Sequence, residues 1–98
     1  MANGTTTLNF GAFPGTLDTS VTVTGQASIG AGSLVEAWLL PVATADHGVD
    51  EHLVENIKVI AGTITAGAGF VIYGYATLAQ NGITEPLYGQ YTVAWAWA

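Results

Sequence analysis

Ile57-Lys58-Val59-Ile60-Ala61-Gly62-Thr63-Ile64, then Phe70-Val71-Ile72-Tyr73-Gly74-Tyr75-Ala76-Thr77-Leu78, then Leu87 to Trp97 are three β-rich runs in the stretch Ile57–Ala98. Thr65-Ala66-Gly67-Ala68-Gly69 separates the first two, a small-residue turn whose glycines accept positive φ at no steric cost. Gln80-Asn81-Gly82-Ile83-Thr84-Glu85-Pro86 separates the second and third, with Asn-Gly and Pro as breakers. Three such runs joined by turn chemistry predict an antiparallel meander, against which the rest of the chain packs.

Working outward, the upstream half adds shorter strands. Leu8 and Phe10 give Thr5–Gly11 one apolar face, and residues 1–4 read as a loose end. Pro14-Gly15 marks a turn. Thr19–Gly25 alternates cleanly, with Val21 and Val23 on one side and threonines on the other. Ser33–Leu40 fits helix or strand by spacing. Its short length, with glycines before it and Pro41 after it, favours strand. Pro41–Glu55 is irregular, with room for at most one helical turn near 50–55, for which Asp50 is the candidate cap. The prediction is an all-β, antiparallel β-sandwich or jelly-roll-like fold of about six to eight short strands. The chain reads as one β domain over residues 1–98.

Composition narrows the function. Apolar residues make up 50% of the 98 residues and charged residues only 8%, against about 25% charged in ordinary soluble domains. The surface must therefore be built of Thr, Ser, Gly, Ala, Asn and Gln, which desolvate cheaply and suit burial by other protein. Net charge is −6, with Lys58 the single basic residue. One cation cannot neutralise a run of phosphates, so neither nucleic acid nor an anionic membrane is expected as a partner. Cysteine is absent, which removes disulfides and thiolate metal sites. No basic segment followed by an apolar run opens the chain, so synthesis in a cytoplasm without a secretion signal is expected.

The one constellation with metal-ligand chemistry is Asp46-His47-x-x-Asp50-Glu51-His52-x-x-Glu55. His47 and His52 stand five apart, not four, and no third histidine exists. The favoured reading is a solvated loop whose acids cap backbone amides and whose imidazoles bond neighbouring chain, exposed or at a subunit boundary. Asp46, His47, Asp50 and His52 remain the metal candidates, and no cofactor is expected. Acids so close in sequence are a poor template for carboxylates flanking a glycosidic bond. Gly-x-Ser-x-Gly is absent, and Gly62–Gly69 lacks the Lys and helix of a phosphate cradle. No catalytic residue is assigned and no enzyme activity is expected.

The aromatic residues are the remaining candidates. Tyr91, Val93, Trp95 and Trp97 fall on one side of the last strand, with Val93 and Trp95 expected in the core. Trp97, Trp38, Tyr75 and Tyr88 are candidates for an assembly interface, because Trp and Tyr anchor interfaces. Trp38, Tyr73 and Tyr75 also fit a sugar-stacking platform, but buried packing is the favoured reading of each.

Several short motifs carry a likeness as a set. They are Phe10-Gly11-x-x-Pro14-Gly15, Val23-Thr24-Gly25-Gln26, Glu36-Ala37-Trp38, Asp46-His47-x-x-Asp50-Glu51-His52, Ala61-Gly62-x-Ile64-x-Ala66-Gly67-x-Gly69-Phe70-x-Ile72-Tyr73, and Trp95-x-Trp97. Over nearly the whole chain these motifs resemble small structural proteins encoded among the virion genes of tailed bacteriophages. The resemblance implies a virion component, foremost a capsid decoration or cement protein that acts as a homo-oligomer, a trimer by preference, on the major capsid protein. The alternatives are a tail or fibre-associated module and a glycan-binding β-sandwich. Localisation in the virion, after synthesis in a host bacterial cytoplasm, follows from the same resemblance. It assigns no catalytic residues.

Overall fold

The computed structural model describes residues 2–77 and 86–98. Six strands and one short helix follow in the order β1 (Ala2–Asn9), β2 (Asp18–Val23), β3 (Val35–Leu39), α1 (Val49–Val54), β4 (Ile57–Thr65), β5 (Gly69–Ala76) and β6 (Gln90–Trp97). They form two three-stranded antiparallel sheets, ordered β1-β6-β3 and β2-β5-β4. The fold is a small β-sandwich. Six strands lie among the described residues, within the six to eight expected.

The core follows from alternation. Leu8, Phe70, Ile72, Tyr91, Val93 and Trp95 project inward from both sheets, joined by Phe10, Ile29 and Leu87 from the connections. Asn3, Thr5, Thr7 and Asn9 project outward from β1, as expected where one side of a sheet is packed and the other wet. Two glycines let neighbouring strands within each sheet pack closely. At Gly4 a Cβ would lie 2.6 Å from the Trp95 indole, and at Gly69 it would lie 1.7 Å from the Val23 carbonyl oxygen. The Gly67–Gly69 pair therefore splits its labour. Gly67 takes φ +75° in the turn, whereas Gly69 serves close approach to β2.

Three expectations need correction. Residues 2–4 are not a loose end: Ala2, Asn3 and Gly4 pair with Trp97, Ala96 and Trp95. Polar and small residues there hid a strand whose main-chain bonds, not its side chains, hold it to β6. The meander holds only as far as the β4–β5 hairpin, because β6 lies in the other sheet between β1 and β3. Residues 77–89 are long enough to cross between layers, and alternation within a strand carries no information about its partner. Asp50 is not the helix cap: α1 starts at Val49 after Gly48, with no side-chain cap bond, and Asp50 lies in the first turn. The predicted break at Gln80–Glu85 and the strand end at Leu78 lie outside the described residues. Ser33–Leu40 is a strand over Val35–Leu39, as its length and flanks suggest. No helix among the described residues is long and apolar enough to cross a membrane.

The body measures 42 × 24 × 21 Å. The register gathers the connections 10–17 and 40–56, with residues 77 and 86–89, at one end. The other end carries the segment 24–34, the β4–β5 turn, Ala2 and Ala98.

Candidate functional site

The loop end is built around an incomplete ladder. β1 pairs with β6 along its whole length, from Ala2↔Trp97 to Asn9↔Gln90. On the other edge β3 stops at Leu39↔Val93. Gln90 and Thr92 would then expose main-chain groups at a partly buried position, which is costly. The segment 40–52 supplies their partners, mostly from side chains. Leu40 N–H donates to the Thr92 carbonyl at 2.9 Å. Thr92 N–H donates to His52 Nε2 at 3.0 Å. Gln90 N–H donates to Asp46 Oδ2 at 2.8 Å, and Thr44 Oγ1 donates to the Gln90 carbonyl at 2.8 Å. Thr92 Oγ1 donates to the Val42 carbonyl at 2.8 Å. Irregular chain thus continues the sheet with Asp, His and Thr side chains in place of a strand.

These contacts fix the state of both histidines. His52 is buried, and its Nδ1 lies 2.8 Å from the Gly48 carbonyl oxygen. A carbonyl only accepts, so Nδ1 carries the proton. Nε2 then accepts from Thr92, which identifies the neutral Nδ1–H tautomer. His47 is different. It is buried at 4% exposure, its Nε2 faces the Tyr88 carbonyl oxygen, and its Nδ1 faces the Glu51 carboxylate. Both nitrogens meet acceptors, so the imidazolium is the form that satisfies them. Burial works hardest against that charge, but the Tyr88 carbonyl, the Glu51 carboxylate and Asp46 outweigh it, and the His47 pKa is raised. The bond to His47 holds the Glu51 carboxyl below its ordinary value.

Tyr91 is the hub beneath. Its ring stacks on His47 at 4.2 Å and 14°, meets His52 edge-on at 5.2 Å, and meets Phe10 edge-on at 5.9 Å. Its hydroxyl donates to Glu55 Oε2 at 3.1 Å. Burial, followed by the charge and hydrogen bond of Glu55, pushes its pKa up.

Of the four metal candidates, His47 and His52 are therefore engaged at every ring nitrogen, and Asp46 holds β6. Asp50 is exposed on α1. Among the described residues no three metal-ligating side chains come together. The acids of 46–51 are exposed while both histidines are buried, so the segment is neither wholly exposed nor wholly packed.

Of the interface candidates, Trp97 is partly buried against the core, and its Nε1–H donates to Gln26 Oε1 at 2.8 Å. The expectation that Trp38, Tyr73 and Tyr75 pack in the interior needs correction. Trp38 projects outward from β3, and Tyr73 and Tyr75 from β5, because the inward side of β5 is taken by Phe70, Ile72 and Gly74. Tyr88 stands at the loop end, edge-on to Phe13 at 5.3 Å. That end also exposes residues that composition did not single out. Phe13 is 77% exposed and Leu53 66%, and Leu17, Val42 and Val49 are each exposed as well. Val49 and Leu53 are four apart on α1 and share its outer side. That spacing was the signal available in the sequence. The loop end is therefore apolar side chains interleaved with the exposed acids Asp46, Asp50 and Glu51. No protein-family model, curated protein or solved structure matches this chain.

Proposed function

We propose that this protein is a structural component of a tailed-phage virion, without catalytic activity, and that it serves as a decoration or cement protein. It seats on the capsid shell as a homo-oligomer. One observation carries the reading: Phe13, Leu17, Val42, Val49, Leu53 and Tyr88 stand exposed together at one end of the sandwich. Isolated exposed apolar residues are ordinary, but a group of this size on a monomer marks a surface made for protein contact. The composition supports it, since a skin poor in charge is cheap to desolvate. So does the likeness of the sequence motifs to virion proteins. The acids among the apolar residues suit a partner surface with a basic rim, which would add orientation more than affinity.

The test uses Phe13→Ser combined with Leu53→Ser. Both side chains are mostly exposed, so the variant keeps its circular-dichroism spectrum and melting temperature. Burial of a large apolar side chain is worth roughly 1.5–3 kcal/mol, and a tenfold loss of affinity is about 1.4 kcal/mol. Co-sedimentation with shells of the capsid protein encoded in the same genome should therefore weaken by tenfold or more. Wild-type protein that fails to sediment with the shell, or binding that survives both substitutions, defeats the proposal.

A further inference from the structure

The outward surface of the β2-β5-β4 sheet adjoins the loop end at Leu17 but is organised differently. Strand register sets its side chains in rows. Asp18, Tyr75 and Lys58 form one row, and Ser20, Tyr73 and Ile60 form the next. Tyr73 and Tyr75 are each 37% exposed. Two residues apart on one strand, they rise side by side about 7 Å apart. A groove lined by Leu17, Asp18, Ser20, Ile60, Tyr73 and Tyr75 runs past them. Lys58 Nζ lies 5.8 Å from the Tyr75 ring centre.

This surface contains the one strained residue of the described backbone. Thr63 has φ +51° at the irregularity between Gly62 and Thr65 in β4. For a β-branched residue this conformation is unfavourable. Its Oγ1 shares a 2.6 Å hydrogen bond with the Tyr73 hydroxyl. The bond is exposed to solvent and adds little to stability. What it does is hold an exposed phenol in one orientation.

We propose that this surface binds an uncharged polysaccharide, with pyranose rings laid on Tyr73 and Tyr75 and sugar hydroxyls met by Asp18, Ser20 and Lys58. The reading is independent of the one for the loop end. A pyranose ring has a flat side of C–H groups and a rim of hydroxyls. Tyrosine rings match the first. A carboxylate, a hydroxyl and an ammonium within two rows match the second. Charge selects within the class. The Asp18–Tyr75–Lys58 row is locally balanced, and a molecule of net charge −6 repels polyanionic chains while leaving neutral ones unaffected. The flanking Asp18, Ser20, Thr22 and Lys58 are too polar for the dry centre of a protein interface.

Affinity electrophoresis in native gels containing a soluble β-glucan, a galactomannan or a xyloglucan tests this, with polygalacturonate as the charged comparison. Wild-type protein should be retarded by at least one neutral polysaccharide and not by polygalacturonate. Tyr73→Ala with Tyr75→Ala should weaken retardation tenfold or more. Thr63→Gly relaxes the backbone and removes the hydroxyl, so it keeps the fold and still weakens retardation several-fold. That second variant keeps the test decisive should the double alanine variant unfold. Absence of retardation in every neutral gel overturns the proposal, as does preference for polygalacturonate or retardation indifferent to these substitutions. Self-association abolished by Tyr73→Ala would assign the surface to a second copy of the chain and overturn it equally.

Discussion

His47 and Glu51 make stability depend on pH in two directions, and the signs can be worked out. The folded pKa of His47 is raised above its ordinary 6.5. Its contribution is complete below that value and is lost as pH rises through the raised one. The folded pKa of Glu51 is lowered from its ordinary 4.5. Its contribution is complete above that value and is lost as pH falls through the lowered one. Between 4.5 and 6.5 both are in force. Urea midpoints of wild type and Glu51→Gln, measured across pH, should differ most inside that window, and the difference should shrink above and below it. A difference that grows steadily with pH would contradict the ion pair. Glu51 itself is half exposed, so water screens the pair, and the effect rests on the buried imidazolium. The same residues show why the spacing Asp46-His47-x-x-Asp50-Glu51-His52 reads so readily as a ligand set. Acids and imidazoles chosen to satisfy main-chain groups are the residue types a metal site also uses.

At the scale of elements, the segment 40–52 acts as a seventh strand made from side chains. Its test is His52→Phe, which keeps an aromatic ring of similar bulk beside Tyr91 but offers no acceptor to Thr92 N–H. A buried donor left unpaired costs about 1–3 kcal/mol, so the unfolding free energy should fall by that amount, read as a lower urea midpoint at unchanged m-value. Hydrogen exchange at the Thr92 amide should accelerate beyond the global effect. An unaltered midpoint would mean that water replaces the imidazole freely. That acids and imidazoles of this segment bond main chain was legible beforehand; that they extend the sheet along β6 was not. Strands β2, β4, β5 and β6 announce themselves because burial on one side imposes alternation, as in Val21 and Val23 or Phe70 and Ile72. Val93 and Trp95 were legible as core in the same way. Tyr73 and Tyr75, by contrast, read as buried and stand exposed, because alternation along β5 does not say which of its two apolar sides is inward. Ala2–Gly4 was not legible as a strand, because its role rests on main-chain bonds and on the absence of side chains at Gly4. Nor was the placement of β6, since a strand bordered on both edges looks the same whichever strands border it. The loop end was legible only in part: Tyr88 stood out as an aromatic, whereas Phe13, Leu17, Val49 and Leu53 acquire meaning only once the fold brings them together.

Over the whole molecule, apolar contact and charge pull in opposite directions, and salt separates them. Each copy carries a net charge of −6 with one cation. Exposed acids lie among the apolar side chains of the loop end. Two or three copies set side by side with their loop ends toward one shell bring like charges close. The Debye length falls from about 30 Å at 0.01 M salt to about 10 Å at 0.1 M and 3 Å at 1 M, so added salt removes most of that repulsion. It leaves apolar burial intact. Self-association should therefore tighten as ionic strength rises, and sedimentation velocity over a salt series reads this directly as a shift toward the oligomer. Attachment to a basic-rimmed shell should respond in the opposite sense, because the same ions screen an attraction. The two slopes thus differ in sign for one protein. Oligomers that dissociate on adding salt would mean that copies are joined by complementary charges. With a single lysine per chain, few such contacts can be made, and the account of the loop end as an apolar seat would fail with them.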